Sequence, residues 1–109
     1  MKIEVTQFAF DCLAEIEAFG IIKGHSPEEA GNVVDDLLIR STTAISQNPT
    51  MFHYSPRLVD FGLKMRERLD ETSHWCLYEV AGDTVFIMLY VHTRQDLVRA
   101  LYRHHIMRS

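Results

Sequence analysis

The spacing of apolar residues in the N-terminal half predicts one strand followed by two helices. The segment from Lys2 to Thr6 alternates with period two, which is typical of a short strand. Apolar residues then keep helical spacing over 8–19 and again over 27–47. Ser26 and Glu29 form the capping-box pattern that starts a helix. The short link between the two helices predicts an antiparallel helical hairpin.

The C-terminal half alternates as a sheet does. Residues 63–68 predict a half-exposed strand with a basic face, and strands over 75–80 and 84–92 are joined by a tight turn at Gly82. Because the last strand is apolar on both faces, it should be central. A short helix is expected to open at Thr93 with a weak capping box. Its buried side would carry Leu97, Ala100, Leu101 and His104.

This order of elements predicts an α+β fold for the whole chain. The N-terminal strand and the antiparallel helical hairpin would pack on a mainly antiparallel sheet of about four strands, with a short C-terminal helix. The helices should lie on one face of the sheet. The first strand should take an edge position beside the second or the last strand. A length of 109 residues predicts a single domain over 1–109.

Composition predicts a soluble, cytoplasmic protein. The N-terminus lacks the pattern of a signal peptide, and no apolar run is long enough to span a bilayer. Cys12 and Cys76 each lie in an apolar run and are predicted to be reduced core residues. The net charge of −4 weakens any general nucleic-acid role, which needs a basic surface. The acidic excess lies in residues 1–61, whereas residues 62–109 are slightly basic.

Metal and cofactor chemistry is not expected. His104 and His105 are adjacent, so on a helix their side chains would point about 100° apart, which does not suit ligands on one helical face. Cys12 lies on the predicted buried stripe of its helix and has no neighbouring base in sequence. The chain has no glycine-rich phosphate loop.

The stretch from Tyr78 to Asp96 carries a resemblance to a known family. A tyrosine strand over 78–80 leads through Gly82-Asp83 to the apolar run 85–91, and then to His92 and the pair Arg94 and Asp96. Together with the element order, this pattern resembles the RelE/ParE superfamily of toxins from bacterial type II toxin–antitoxin systems, and it is closest to the ParE branch.

That resemblance implies two possible activities. Some members are ribosome-dependent mRNA interferases, which need cations and acid–base groups around the scissile phosphate. The candidates here would be Arg66, His92, Arg94 and Tyr102. ParE-like members instead inhibit DNA gyrase by protein–protein contact. For target or partner binding the candidate residues are Lys64, Arg68, Arg99 and Arg103.

The acidic total favours the gyrase inhibitor over the mRNA interferase. The resemblance then implies a growth-arresting toxin of the plasmid-stabilisation type, neutralised by a cognate antitoxin in a hetero-oligomer. The antitoxin would cover the helical hairpin and an edge of the sheet. Two alternatives remain open at this point: an enzyme that acts with the ribosome on mRNA, and an inert family member that retains only antitoxin binding. The basic strand face could equally be a solvated surface paired with Asp70 or Glu79.

Overall fold

The protein is described by a computed structural model that covers residues 1–103. Within these residues, four strands and four helices form an α+β arrangement, the fold class that the sequence predicts. In chain order they are β1 (Lys2–Val5), α1 (Gln7–Ile22), α2 (Pro27–Gln47), α3 (Pro56–Val59), β2 (Arg66–Leu69), β3 (His74–Ala81), β4 (Thr84–His92) and α4 (Leu97–Arg103).

The two long helices begin where their caps predict. The Thr6 hydroxyl accepts from the Ala9 N–H at 3.2 Å. The Ser26 hydroxyl accepts from the Glu29 N–H at 3.1 Å, and the Glu29 carboxylate accepts from the Ser26 N–H at 3.4 Å. Each cap satisfies amide groups that the first helical turn leaves without a partner.

The sheet has the order β1-β4-β3-β2, with β1 parallel to β4 and the other pairs antiparallel. The first strand therefore lies at an edge beside the last strand, one of the two positions that the sequence allows. The β3–β4 hairpin turns at Gly82, whose φ of 62° favours glycine. This turn and the central position of β4 are both as predicted.

The helical hairpin covers one face of the sheet. The Tyr90 hydroxyl lies 2.7 Å from Ser41 Oγ of α2, and the Tyr78 hydroxyl donates to the Pro49 carbonyl at 2.7 Å. Arg66 pairs in register with Tyr78, and Arg68 pairs with Cys76 two residues earlier. Because side chains alternate along a strand, both arginines point to the side that the hairpin covers. Arg66 and Arg68 are half-buried, so the predicted solvation of this face is wrong, but the pairing expected with Asp70 is present at Arg68, 3.0 Å away.

Helices α3 and α4 serve the opposite face. Leu77 and Leu89 are directly paired, point away from the hairpin and are fully buried. The Arg57 guanidinium of α3 lies 5.8 Å from the centre of the Trp75 ring on this face. The expectation that the helices share one face is thus confirmed for the two helices of the hairpin, whereas α3 and α4 lie on the other face because an apolar strand needs cover on both sides. Buried side chains of α3 and α4 in the same core are Leu58, Leu97, Ala100 and Leu101.

Three boundaries differ from the expected ones. Strand β2 begins at Arg66, so Lys64 precedes it. Helix α4 begins at Leu97, because the Asp96 carbonyl accepts from the Ala100 N–H at 3.0 Å and its carboxylate accepts from the Arg99 N–H at 3.2 Å. Helix α3 was not predicted, although Ser55-Pro56 repeats the start signal of α2. The predicted burial of His104 lies outside the described residues.

Cys12 and Cys76 are both buried, as expected for core thiols. Within residues 1–103, no helix is both long enough and apolar enough to cross a membrane.

Candidate functional site

The four residues of the predicted nuclease site do not converge. Arg66 lies opposite Tyr78 on β3, whereas His92 lies opposite His74 at the other end of that strand. Four residues along β3 and two strand spacings across the sheet separate Arg66 from His92, which is about 13 Å by about 10 Å. Tyr102 is on α4 and exposed.

Contacts to the loop that follows α2 fix the position of Arg66. Its guanidinium donates to the carbonyls of Thr50 at 3.3 Å and Phe52 at 2.7 Å. It also lies 4.3 Å from the centre of the Tyr54 ring. Three contacts of this kind hold the cation in one place, so Arg66 closes the loop on the edge of β2.

A cavity of about 470 Å³ lies between α1 and the ends of β3 and β4. It holds two of the predicted residues, His92 and Arg94, and several that the sequence did not single out. Helix α1 supplies one wall, the sheet supplies the floor, and the turn before α4 supplies the rim. The lining residues are Cys12, Glu15, Ile16, Phe19, Lys23, His74, Tyr90, His92, Arg94 and Gln95.

Two histidines meet edge to face in this cavity. The ring centres of His74 and His92 are 5.1 Å apart, and the ring planes are nearly perpendicular at 88°. Nδ1 of His92 lies 3.0 Å from the Arg94 backbone N–H, which can only donate. Nδ1 therefore carries no proton, and the proton of the His92 ring is on Nε2.

His74 has the opposite tautomer because of a hydrogen-bond chain. The Thr72 hydroxyl donates to the Asp70 carboxylate at 2.7 Å, so at His74 Nδ1, 3.0 Å away, it can only accept. Nδ1 of His74 must then be the donor. Burial lowers the pKa of His74, and the nearby His92 lowers it further, against the opposing charge of Asp70. His74 is thus an oriented ring that packs edge to face against His92.

Asp70 is the centre of a buried ionic cluster at the turn from β2 to β3. Its side chain is fully buried and accepts from Arg40 at 3.2 and 3.0 Å and from Arg68 at 3.0 Å. Burial alone would raise the pKa of Asp70. Hydrogen bonds from Arg40, Thr72 and Arg68 outweigh that effect and hold the pKa well below its ordinary value. The Arg68 guanidinium is therefore engaged in an ion pair with Asp70 inside the protein.

The thiol and phenol groups near the cavity are poor nucleophiles and acids at neutral pH. Burial raises the pKa of Cys12 to about 11, although a backbone hydrogen bond at Tyr90 offsets part of the effect. Burial also raises the pKa of Cys76 to about 12 and raises that of Tyr90. These groups stay protonated and serve packing.

The remaining basic candidates lie apart from one another. Lys64 is exposed just before β2, and Arg99 is exposed on α4. Arg103 donates to the Glu15 carboxylate of α1 at 2.8 Å, which ties the end of α4 to the helical hairpin. Arg99 and Arg103 are both exposed, as predicted, but within residues 1–103 the Arg99 guanidinium forms no ion pair.

The part of the chain up to Arg103 contains no cluster of three His, Cys, Asp or Glu side chains that could hold a metal ion. The paired histidines of the cavity are accompanied there by cations and apolar groups instead.

Large apolar side chains are exposed on the two long helices. Phe10, Phe19 and Ile22 on α1 and Ile39 on α2 are between 47% and 80% exposed. Two of them, Phe19 and Ile22, lie at the end of α1 that borders the cavity. Neighbouring exposed apolar groups such as Phe19 and Ile22, three residues apart on α1, are typical of surfaces that bind another protein.

Comparison with known proteins identifies the fold of this chain. No protein-family model matches the sequence, and no curated protein matches it. A solved structure described as a chromosomal ParDE toxin–antitoxin system from P. aeruginosa contains a chain with the same architecture. The TM-score is 0.69 at 19% sequence identity, over 84% of this chain and 95% of that chain. The predicted RelE/ParE-like fold is thereby confirmed. The protein has a ParE-like fold.

Proposed function

We propose that this chain is the toxin of a type II toxin–antitoxin module of the plasmid-stabilisation type, and that it arrests growth by inhibiting DNA gyrase through protein–protein contact. The observation that carries the proposal is the dispersal of the nuclease candidates on a ParE-like fold. Arg66 is engaged in a loop far from His92, and Tyr102 lies outside the cavity. A protein that cuts RNA needs these groups around one phosphate. A protein that binds its target does not.

The second partner in this proposal is a cognate antitoxin. The exposed Phe19 and Ile22, three residues apart on α1, give the helical hairpin an apolar surface that a folding partner segment can cover. The similar solved structure is described as a ParDE system, which is consistent with a hetero-oligomer.

Expression without a partner should arrest growth and produce filamentous cells with damaged DNA. The purified protein should inhibit supercoiling of relaxed plasmid by gyrase, with a dose dependence that persists in the absence of ribosomes. Normal supercoiling at a large molar excess of the protein would contradict gyrase as the target. Unimpaired growth, together with a stable complex with the product of an adjacent small gene, would indicate an inert member.

The ribosome-dependent mRNA interferase is the alternative, and one observation favours keeping it. His92 and Arg94 line the same cavity, and Lys23 adds a third group able to contact phosphate. If this alternative holds, message cleavage should require His92 and Arg94 but tolerate Arg66→Lys, because Arg66 lies elsewhere. Intact messages during growth arrest would exclude it.

A further inference from the structure

The hydrogen-bond donors of the cavity point to an anionic group. The Arg94 backbone N–H donates a hydrogen bond to Nδ1 of His92, so the ring proton is on Nε2, which can donate to a ligand. The side chains of Lys23 and Arg94 add two full positive charges at the same cavity. Glu15 is the only acidic residue of the lining, and the Arg103 guanidinium neutralises it at 2.8 Å. The electrostatic balance of the cavity is therefore positive in a protein whose net charge is −4.

Apolar side chains of α1 form one wall of the cavity. Ile16 and Phe19 of α1 line it, and Phe19 keeps 59% of its surface exposed. The Lys23 ammonium lies 5.3 Å from the centre of the Phe19 ring, so the charged and apolar groups are in direct contact. A ligand that fills the cavity must therefore present an anion and a bulky apolar group close together.

We propose that this cavity binds an acidic peptide segment of a protein partner, with a bulky apolar side chain against Ile16 and Phe19 and a carboxylate on His92, Arg94 and Lys23. The proposal rests on the proposed function, since it assigns a place on the toxin to the antitoxin. A peptide fits better than a nucleotide because the apolar wall continues on the outer surface through the exposed Ile22. Such a run of exposed aliphatic side chains matches a partner segment longer than one residue.

The test is a titration of the full chain with a fluorescein-labelled synthetic peptide that carries one phenylalanine between glutamates on an alanine backbone. Its twin has lysine in place of each glutamate. We expect saturable binding of the acidic peptide only. Lys23→Gln and Arg94→Gln should each weaken binding about tenfold, because each removes one charge-assisted contact. Both residues are exposed, so both variants should fold.

Matched controls separate the cavity from the rest of the surface. Arg99→Gln removes an exposed cation of α4 outside the cavity and should leave binding unchanged. Phe19→Ala should weaken binding severalfold, whereas Phe10→Ala on the same helix should not, because Phe10 lies outside the cavity.

Three outcomes would overturn the proposal: no binding of the acidic peptide, equal binding of the lysine twin, or binding that is indifferent to Lys23 and Arg94. A 5′-phosphorylated oligonucleotide is added as a competitor. If it displaces the peptide, and if Lys23→Gln and Arg94→Gln weaken its binding more than they weaken peptide binding, the proposal is overturned in favour of an RNA ligand. Growth arrest with no peptide binding would contradict only the peptide-binding proposal. Peptide binding without growth arrest would contradict only the proposed toxin function.

Discussion

Replacing Asp70 by asparagine should lower the free energy of unfolding by about 3 kcal/mol, which is the size expected when one partner of a buried ionic cluster is removed. The Asp70 side chain is fully buried and is the common acceptor for Arg40, Arg68 and Thr72. In Asp70→Asn, the amide retains one carbonyl oxygen and places a donor against the arginines. Arg68 then loses its countercharge, and Arg40 keeps only the exposed Glu71. Urea unfolding monitored by circular dichroism measures the loss.

The matched control is Glu71→Gln. Glu71 accepts from the same Arg40 at 3.1 Å, but its side chain is 72% exposed. An exposed pair of this kind contributes at most about 1 kcal/mol. Equal losses for Asp70→Asn and Glu71→Gln would mean that burial at Asp70 does not determine the strength of the cluster.

Acid should remove the same stabilisation. The pKa of Asp70 is lowered in the folded state, so the unfolded chain takes up this proton at a higher pH than the folded protein does. The contribution of Asp70 is complete above its ordinary pKa of about 4 and is lost as the pH falls further. The difference in unfolding free energy between the wild type and Asp70→Asn should therefore be constant near neutrality and shrink below about pH 4. A difference that grows on acidification would contradict the assignment.

Leu89→Ala should lower the free energy of unfolding by about 3 kcal/mol, because it opens a cavity beneath a fully buried side chain of the central strand. Leu89 pairs with Leu77 on the face that α3 and α4 serve. Chemical denaturation measures this effect as well.

Leu69→Ala is the matched control for Leu89→Ala. Leu69 pairs with Trp75 on the same face of the sheet, but it is on the edge strand and 52% exposed. Its truncation should cost less than about 1 kcal/mol, because much of the side chain is already in water. A small loss for Leu89→Ala would show that α3 and α4 cover this face only loosely.

Local signals in the sequence predicted most of the fold. The capping box at Ser26 and the turn at Gly82 each act within four residues, so their effects are visible without the rest of the chain. The apolar run of β4 likewise indicated burial on both faces. The start of helix α4 was placed three residues early because Thr93 and Asp96 are both acceptable caps. The hydrogen bonds from Arg99 and Ala100 to Asp96 identify Asp96 as the cap.

The candidate site was harder to predict from the sequence, because its residues are far apart along the chain. His92 and Arg94 were found from their motif, but Lys23 and Phe19 come from the end of α1 and meet them only in the folded chain. The basic face of β2 was misjudged for a similar reason. Arg68 is covered because Asp70 also binds Arg40 of α2, a contact between residues 30 positions apart. Alternation along β2 predicts which side chains share a face, but it does not tell which face the helices cover.

The parallel pairing of β1 with β4 has a consequence for biosynthesis. Lys2 is made long before its partner Thr84, and Val5 long before Ile87. The helical hairpin can form as soon as α2 is complete, but β1 remains without its neighbour until β4 has been translated. A nascent or truncated product that stops before β4 cannot close the sheet or form the His74–His92 pair. The fold thus delays any activity at that site until β4 has been made.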